Sequence, residues 1–577
     1  MATIPLAVFK DLPEVSACNY SIFIVPFRYE MRRRGYSREP SAGYRADKLC
    51  GEEFDERYRY LTGETRAIMF PSRESPTCLF TPVSPRVSFY HLAYGPDDPS
   101  VITLRWWLPT VANERPGPQY WDLKSTVDLV LFEQTSAQAT APPHRCCGSV
   151  GLLMLRVNAC SGMSMADLLD LNTHLRLLRY QHLGQRPQLD VRNRDRPLDR
   201  RAGVDVQRFP AFDVSLPSGS RSGEKTVPGH VDLWRQLLTF PIFVGRENAR
   251  ELEVDLDLYP DDRAFVACHA CVDSVPWETE RTSRLWALWH QLLHVEGSEG
   301  PPRGSLVSYE EDWVRKRTYF RWAQHPGDAR LYGYSNYSFC CLCLPTGFQH
   351  PVRHFRTMYL DMLILLLYQR ATVFAFGREL TALSQEWQSK GWNPTRKKFV
   401  ELRESFDQFV NLYWFPVFTN QVQGLEMYEI GRRELDNLEL FEEVRHEMEG
   451  TWGFMEASSA AALNRGALLV AVFAITLAFM GMSLLQPQTS GALLNARQRV
   501  QLVFPTFRVW FLLLAYLMAL LGSLALLPSR RKRQLRWAVP SLVIALGSAG
   551  IAVWPILEPW LSGLRFFFTK LAANLFG

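Results

Sequence analysis

The sequence predicts an α/β body, followed by a long helical stalk and an α-helical membrane region. Three observations predict this architecture. Residues 1–353 alternate segments rich in β-branched and aromatic residues with helix-like segments, residues 354–463 have an almost unbroken helical pattern, and residues 464–577 contain three long apolar runs. A chain of 577 residues can hold two or three soluble domains besides a membrane part.

The apolar runs cover residues 466–485, 509–528 and 537–557. At about 1.5 Å per helical residue, each is long enough to cross a hydrocarbon layer of roughly 30 Å. The third run contains Pro540 and Pro555, so it is either a full span or a re-entrant or interfacial segment. The sequence thus predicts a multi-pass membrane protein with the lipid bilayer as one of its partners.

Charge is distributed unevenly along the chain. Glu558 is the only acidic residue after position 463, where eleven lysines and arginines lie, and the rest of the chain has more acid than base. The net charge of +5 therefore does not indicate nucleic-acid binding, and no nucleic-acid polymer is expected as a partner.

The cationic cluster at residues 530–536 orients the chain. It holds five positive charges after the second run, which the positive-inside rule places in the cytoplasm. The N-terminus has no long apolar core of the signal-peptide type. We therefore expect a large cytoplasmic N-terminal region anchored in the inner (cytoplasmic) membrane.

Within the soluble body, the pattern predicts strands at residues 20–26, 101–108, 126–133, 148–157, 252–258, 264–272 and 332–344, and helices at 165–183 and 282–294. Residues 184–230 are dense in Arg, Asp, Pro, Gly and Ser, which is typical of a linker or mobile insertion. The predicted organisation is an N-terminal α/β part (1–183), this linker (184–230), a second α/β part (231–353), the helical stalk (354–463) and the membrane region (464–577).

In the stalk, residues 358–388 begin with a very apolar stretch that also contains Asp361, Arg370 and Arg378. These charges predict a buried helix of the soluble part rather than a membrane span. Further helices are expected at residues 396–413 and 421–450. The last of these is strongly acidic and leads directly into the first apolar run.

Small residues form a stripe along the first apolar run, at alternating steps of four and three: Ala460, Asn464, Ala467, Ala471, Ala474, Ala478 and Gly481. Small side chains let transmembrane helices approach closely. The stripe is compatible with a homo-oligomer that has this helix at its axis, or with packing against the second run of the same chain. The run ends in the sequence Gly481-Met482-Ser483.

An acidic helix that continues into a span ending in Gly-Met-Xaa, a short loop, a returning span and a basic cluster together resemble the CorA family of divalent-cation channels. The resemblance covers roughly residues 358–536. It implies a homopentamer with a pore lined by the first span, a Gly-Met-Asn motif that binds the hydrated cation, passive flux and no required cofactor. Magnesium or a transition metal would be the substrate.

The chain departs from the family pattern at three points. Ser483 stands where the family has asparagine, the loop at residues 486–508 carries arginines and no acid, and a third apolar run is present. A hydroxyl offers fewer hydrogen-bond sites than an amide, and a positive loop repels cations. The alternative is therefore a ligand-gated membrane effector or sensor on the same scaffold. Its cytoplasmic body would bind a small signalling molecule, as in nucleotide-signalled antiviral defence.

Two metal sites are further candidates. Glu439, Glu442, Glu443 and Glu447 in the acidic helix could share a regulatory divalent cation between copies, or form a solvated face. Cys268, Cys271, Cys341 and Cys343 could bind zinc if their two segments meet, or be buried thiols. The sequence contains no Walker loop, dinucleotide fingerprint or nucleophile elbow, so we do not expect an enzyme.

Overall fold

In the computed structural model, the strands join into a single hydrogen-bonded sheet. The structure describes residues 18–33, 43–47, 52–70, 87–93, 102–107, 120–132, 149–176, 212–215, 234, 237–244, 248–256, 263–272, 284–298, 311–321, 330–343, 349–390 and 392–484. The strands within these residues are β1 (Tyr20–Arg33), β2 (Gly43–Ala46), β3 (Val87–Ala93), β4 (Ile102–Trp107), β5 (Tyr120–Phe132), β6 (Ser149–Asn158), β7 (Phe212–Ser215), β8 (Ile242–Val244), β9 (Asn248–Asp255), β10 (Phe265–Cys271), β11 (Thr318–Arg321), β12 (Arg330–Ser335) and β13 (Ser338–Cys343).

Seven of these strands close into a barrel. Around the ring, β1 pairs with β6, β6 with β5, β5 with β3, β3 with β2, β2 with β8, β8 with β9, and β9 returns to β1. Every pair in the ring is antiparallel except β2 with β8. Closure gives each of these seven strands a partner on both sides, which the end strands of a flat seven-stranded sheet would lack.

Two extensions leave the barrel where its longest strands change partner. The first half of β1 pairs with β10, while its second half pairs with β9. Strand β10 then pairs in parallel with β13, and the sheet continues through β12 to β11. On the other side, the start of β5 pairs with β4, which pairs with β7. A long strand can serve two neighbours in this way because each pairing uses only part of its length.

The described helices are α1 (Glu52–Tyr60), α2 (Gly63–Met69), α3 (Met165–Leu175), α4 (Arg284–His294), α5 (Glu311–Lys316), α6 (Gln349–Arg356), α7 (Met358–Lys390), α8 (Trp392–Tyr413), α9 (Val422–Glu434) and α10 (Asn437–Leu484). Helix α3 begins with a capping box. The Ser164 hydroxyl accepts from the Asp167 N–H, and the Asp167 carboxylate accepts from the Ser164 N–H. These two hydrogen bonds satisfy backbone N–H groups for which the helix itself supplies no acceptor.

Helix α7 is a core element. Within the described residues, Val352–Ser389 has the length and mean hydropathy of a membrane span, yet 83% of its most apolar window is buried inside the protein. Tyr368 stacks on Phe132 of β5 with ring centroids 3.7 Å apart, and Glu379 pairs with Arg28 of β1 at 2.7 Å. The burial agrees with the prediction of a soluble core helix.

Glycines let α9 approach its neighbours closely. A Cβ at Gly431 would lie 2.6 Å from Leu366 Cδ1 of α7. A Cβ at Gly424 would collide with the Tyr60 hydroxyl of α1. Contacts this short are not available to larger residues, so these two positions set how near α9 lies to α1 and α7.

The chain divides into two compact units, Met1–Met448 and Glu449–Gly577. The first unit contains every described strand, so strands from both predicted α/β parts belong to one sheet, and helices α6 to α9 of the predicted stalk belong to the same unit. In the second unit, the described residues are those of α10 from Glu449 onward. The predicted spans at 509–528 and 537–557 lie outside the described residues.

Most strands predicted from the sequence coincide with a strand of the sheet. One predicted strand, at residues 332–344, is in fact two strands, β12 and β13, which are joined by a turn at Asn336 and Tyr337. Residues 212–215 inside the predicted linker form β7, which pairs with β4, and the remaining residues of 184–230 lie outside the described residues. Strands β2, β3, β8 and β11 are additional to the predicted set.

Candidate functional site

The pore residues expected from the sequence lie on a single helix. Helix α10 runs from Asn437 to Leu484, and Gly481, Met482 and Ser483 form its last turn. The stripe positions Asn464, Ala467, Ala471 and Ala474 are exposed. At Ala478 the backbone is helical, and the side chains from Ile475 to Leu484 lie outside the described residues.

Apolar side chains beside the stripe are exposed as well. Leu463 is 75% exposed, Leu468 56% and Val470 68%. Such a helix surface needs lipid or another protein surface to cover it, because large apolar patches in water are unfavourable. The predicted loop at 486–508 and the cationic cluster at 530–536 lie outside the described residues.

The acidic residues proposed as a regulatory metal site lie on the outer face of α10. Glu439, Glu442, Glu443 and Glu447 are all exposed, while the buried face of the same turns is apolar: Phe441, Val444 and Met448. Glu442 pairs with Arg445 one turn away at 2.5 Å. In the described part of one chain these carboxylates form no metal-binding group, so a shared ion between copies stays a prediction.

An open depression lies between β11 and α9. It is lined by Thr318, Tyr319, Glu426, Glu429, Ile430 and Arg433. Two carboxylates face one guanidinium there, so the depression favours a cationic group over an anionic nucleotide. It lends no support to a nucleotide-gated effector.

The candidate zinc residues lie where β10 and β13 run side by side. The parallel register places Cys268 beside Cys340, His269 beside Cys341, and Cys271 beside Cys343. Because successive side chains point to opposite faces of a strand, His269 and Cys271 share one face with Cys341 and Cys343. All of these residues are buried.

On that face the side chains converge into a compact cluster. One ligand atom each from His269, Cys341 and Cys343 lies within 4.8 Å of the other two. The Cys343 Sγ is 3.7 Å from His269 Nε2. The Cys271 thiol contacts those of Cys343 and Cys18, so a third and a fourth sulfur border the cluster.

Backbone and aromatic contacts fix the imidazole in the cluster. His269 Nδ1 lies 2.6 Å from the carbonyl oxygen of Cys18, and since a carbonyl only accepts, Nδ1 carries the proton. The Tyr20 ring stacks on the imidazole at 5.7 Å, and Phe355 of α6 meets it edge-on at 5.5 Å. His269 Nε2 therefore presents its lone pair to the thiols.

Electrostatics differ between the members of the cluster. Burial disfavours a charged His269, but the negative charge and the hydrogen bond that Cys343 offers outweigh it, and the pKa of His269 is raised. The hydrogen bond from Cys271 favours the Cys343 thiolate, yet the contact with Cys341 and burial prevail and raise its pKa. The hydrogen bond with Cys271, followed by burial, raises the pKa of Cys18.

The predicted zinc set is only partly brought together. Cys271, Cys341 and Cys343 share the cluster, while Cys268 lies on the opposite face, where its thiol contacts Ser21 and Asn172. Cys340 lies beside it and donates to the Leu292 carbonyl of α4. His269, and not the predicted Cys268, is the second residue of β10 in the cluster. The alternation of side chains along a strand is the sequence signal that identifies His269.

No protein-family model matches the chain, and neither a curated protein nor a solved structure matches it. The resemblance to CorA channels therefore rests on the C-terminal residues alone.

Proposed function

We propose that the protein is a homo-oligomeric membrane channel for divalent metal cations, with a pore lined by the C-terminal half of α10. The observation that carries the proposal is the extent of this helix. It continues from the acidic segment through the first apolar run and reaches Leu484, so that Gly481, Met482 and Ser483 come in its last turn.

The exposed surface of the same helix supports both a membrane setting and self-association. Leu463, Leu468 and Val470 are the type of surface that lipid covers. Ala467, Ala471 and Ala474 are the type of surface on which a second helix packs closely. A ring of copies with the small side chains toward the axis satisfies both requirements. A pentamer is the state that the family resemblance implies.

The proposed substrate is magnesium or a divalent transition metal, carried passively and without a cofactor. A hydrated cation at the end of α10 would contact backbone carbonyls and the Ser483 hydroxyls of all copies. Because each hydroxyl offers fewer hydrogen-bond sites than an amide, we expect weaker selection among divalent ions than a Gly-Met-Asn ring provides.

The test is ion uptake by liposomes that contain the purified full-length chain, with magnesium, zinc, cobalt and nickel each reported by an enclosed fluorescent indicator. We expect uptake of at least one ion, its loss in Gly481→Trp, and sharper selection in Ser483→Asn. Gly450→Trp is the matched control, because a Cβ there meets no atom within 4 Å. Absence of uptake with all four ions would overturn the proposal and favour the ligand-gated effector. Equal flux in Gly481→Trp and the parent chain would overturn a pore lined by α10.

A further inference from the structure

We propose that His269, Cys271, Cys341 and Cys343 bind one zinc ion that joins β10 to β13. Both strands belong to the sheet of the first compact unit. The inference is independent of the channel function, because it concerns a buried structural ion rather than a transported one.

The spacing of the ligand atoms fits a tetrahedral zinc. Zinc lies about 2.3 Å from a thiolate sulfur and about 2.0–2.1 Å from an imidazole nitrogen, so tetrahedral ligands are roughly 3.5–3.8 Å apart. Cys343 Sγ and His269 Nε2 are already 3.7 Å apart. Cys341 completes a group of three within 4.8 Å. The distances require only a small contraction.

The fourth ligand is Cys271. It follows His269 by two residues on β10, so it lies on the same face, and it is the register partner of Cys343 on β13. Its thiol already contacts that of Cys343. The proposed site requires a rotation about the Cys271 Cα–Cβ bond that carries its sulfur into the group, and it then has two ligands from each strand.

The hydrogen bond of His269 Nδ1 orients the imidazole so that Nε2 can bind a metal. Metal-binding imidazoles almost always donate their second N–H to a carbonyl or carboxylate, which fixes the tautomer and the ring orientation. His269 does this through Nδ1 to the Cys18 carbonyl at 2.6 Å. A histidine that served only to fill the core would not need its second nitrogen beside the thiols of Cys341 and Cys343.

The donor set selects zinc over the hard cations. Three sulfurs and one imidazole suit a borderline-soft ion, whereas magnesium and calcium need oxygen ligands, and no carboxylate belongs to this group. Binding would release the thiol protons, because the thiolate is the ligand.

The position implies a structural role. His269, Cys271, Cys341 and Cys343 are buried, as the ligands of closed structural zinc sites are. The ion would strengthen the pairing of β10 with β13, through which β13, β12 and β11 are attached to β10 and so to the barrel strand β1. Metal loss should therefore loosen these three strands first.

The experiment measures zinc per chain in the full-length protein, purified in detergent without chelators, by elemental analysis. We expect about one zinc per chain, at least a tenfold loss in His269→Ala and Cys341→Ser, and retention in Cys268→Ser and Cys340→Ser. The control cysteines are buried on the same two strands but on the opposite face.

A second measurement needs no variant. After exchange of zinc for cobalt, the parent chain should gain the thiolate-to-cobalt absorption and the intense visible bands of a tetrahedral site. The proposal is refuted if the parent chain holds less than about a tenth of a zinc ion per chain after growth in zinc. It is also refuted if Cys340→Ser and Cys341→Ser lose zinc to the same extent. An octahedral cobalt spectrum would refute it as well.

Discussion

The ion pair between Arg57 of α1 and Asp361 of α7 is a sharp test of how the helices are held on the barrel. Asp361 is 1% exposed, and its two oxygens accept from Arg57 Nε at 2.8 Å and Nη2 at 2.6 Å. The guanidinium also lies over the rings of Phe70 and Phe89, at 5.2 and 5.5 Å from their centroids. Arg57→Met keeps the aliphatic stem and removes the charge, which leaves a carboxylate buried without its cation.

We expect Arg57→Met to lower the free energy of unfolding by about 3–5 kcal/mol, the usual cost of breaking a buried pair. In Arg57→Met with Asp361→Leu, both charges are gone, so the loss should be within about 1–2 kcal/mol of the parent chain. The exposed pair Arg105–Asp122 is the matched control. It has the same two-bond geometry but is about 40% exposed on each side, so Arg105→Met should cost at most about 1 kcal/mol.

Equilibrium urea unfolding of the full-length chain in detergent, followed by tryptophan fluorescence, gives the values for the parent chain, Arg57→Met, Asp361→Leu, their double variant and Arg105→Met. The reasoning is refuted if Arg57→Met costs no more than Arg105→Met. It is also refuted if the double variant loses the sum of the two single losses, because the two side chains would then act independently.

The remaining predictions concern a histidine and two glycines. Burial and the neighbouring His290 lower the pKa of His294 to about 4. Between about pH 6.5 and pH 4 this imidazole is therefore protonated in the unfolded chain and neutral in the folded chain. Stability should fall as the pH drops through this window, by about 3 kcal/mol in total, and His294→Gln should flatten the fall; an unchanged slope in urea titrations would contradict this. Gly431→Ala forces a Cβ against Leu366 and should cost about 1–3 kcal/mol in urea unfolding, whereas Gly450→Ala, in open space on α10, should gain about 0.5–1 kcal/mol. Equal effects at the two glycines would show that α9 is not closely packed.

The sequence was informative wherever structure depends on local pattern. Strand β6 and helix α3 begin within a residue of their predicted starts, since alternation and the capping residues are both local signals. Asp361 indicated correctly that the apolar start of α7 belongs to a protein core, because a buried carboxylate needs a partner that lipid does not provide.

Barrel closure could not be predicted in the same way. Strand β1 pairs with β9 and β10, more than two hundred residues further along the chain, and nothing local specifies a partner at that distance. Strand β8 has three residues and β7 lies in a segment without periodic pattern, so both depend on tertiary pairing. At the metal cluster, the predicted set mixed the two faces of β10. Counting residues from Cys271 in steps of two leads to His269 and excludes Cys268.

Thiol labelling at the proposed pore tests the central claim most directly. The sequence has no cysteine after Cys343, so Ala471→Cys introduces a unique thiol into α10. Leu469→Cys is its control, because two helical residues correspond to a rotation of about 200°. With the parent chain treated alongside, a bulky membrane-impermeant thiol reagent should block ion uptake into liposomes in Ala471→Cys and leave uptake in Leu469→Cys intact. Equal block at the two positions, or no block at either, would contradict a pore lined by the small-residue stripe of α10.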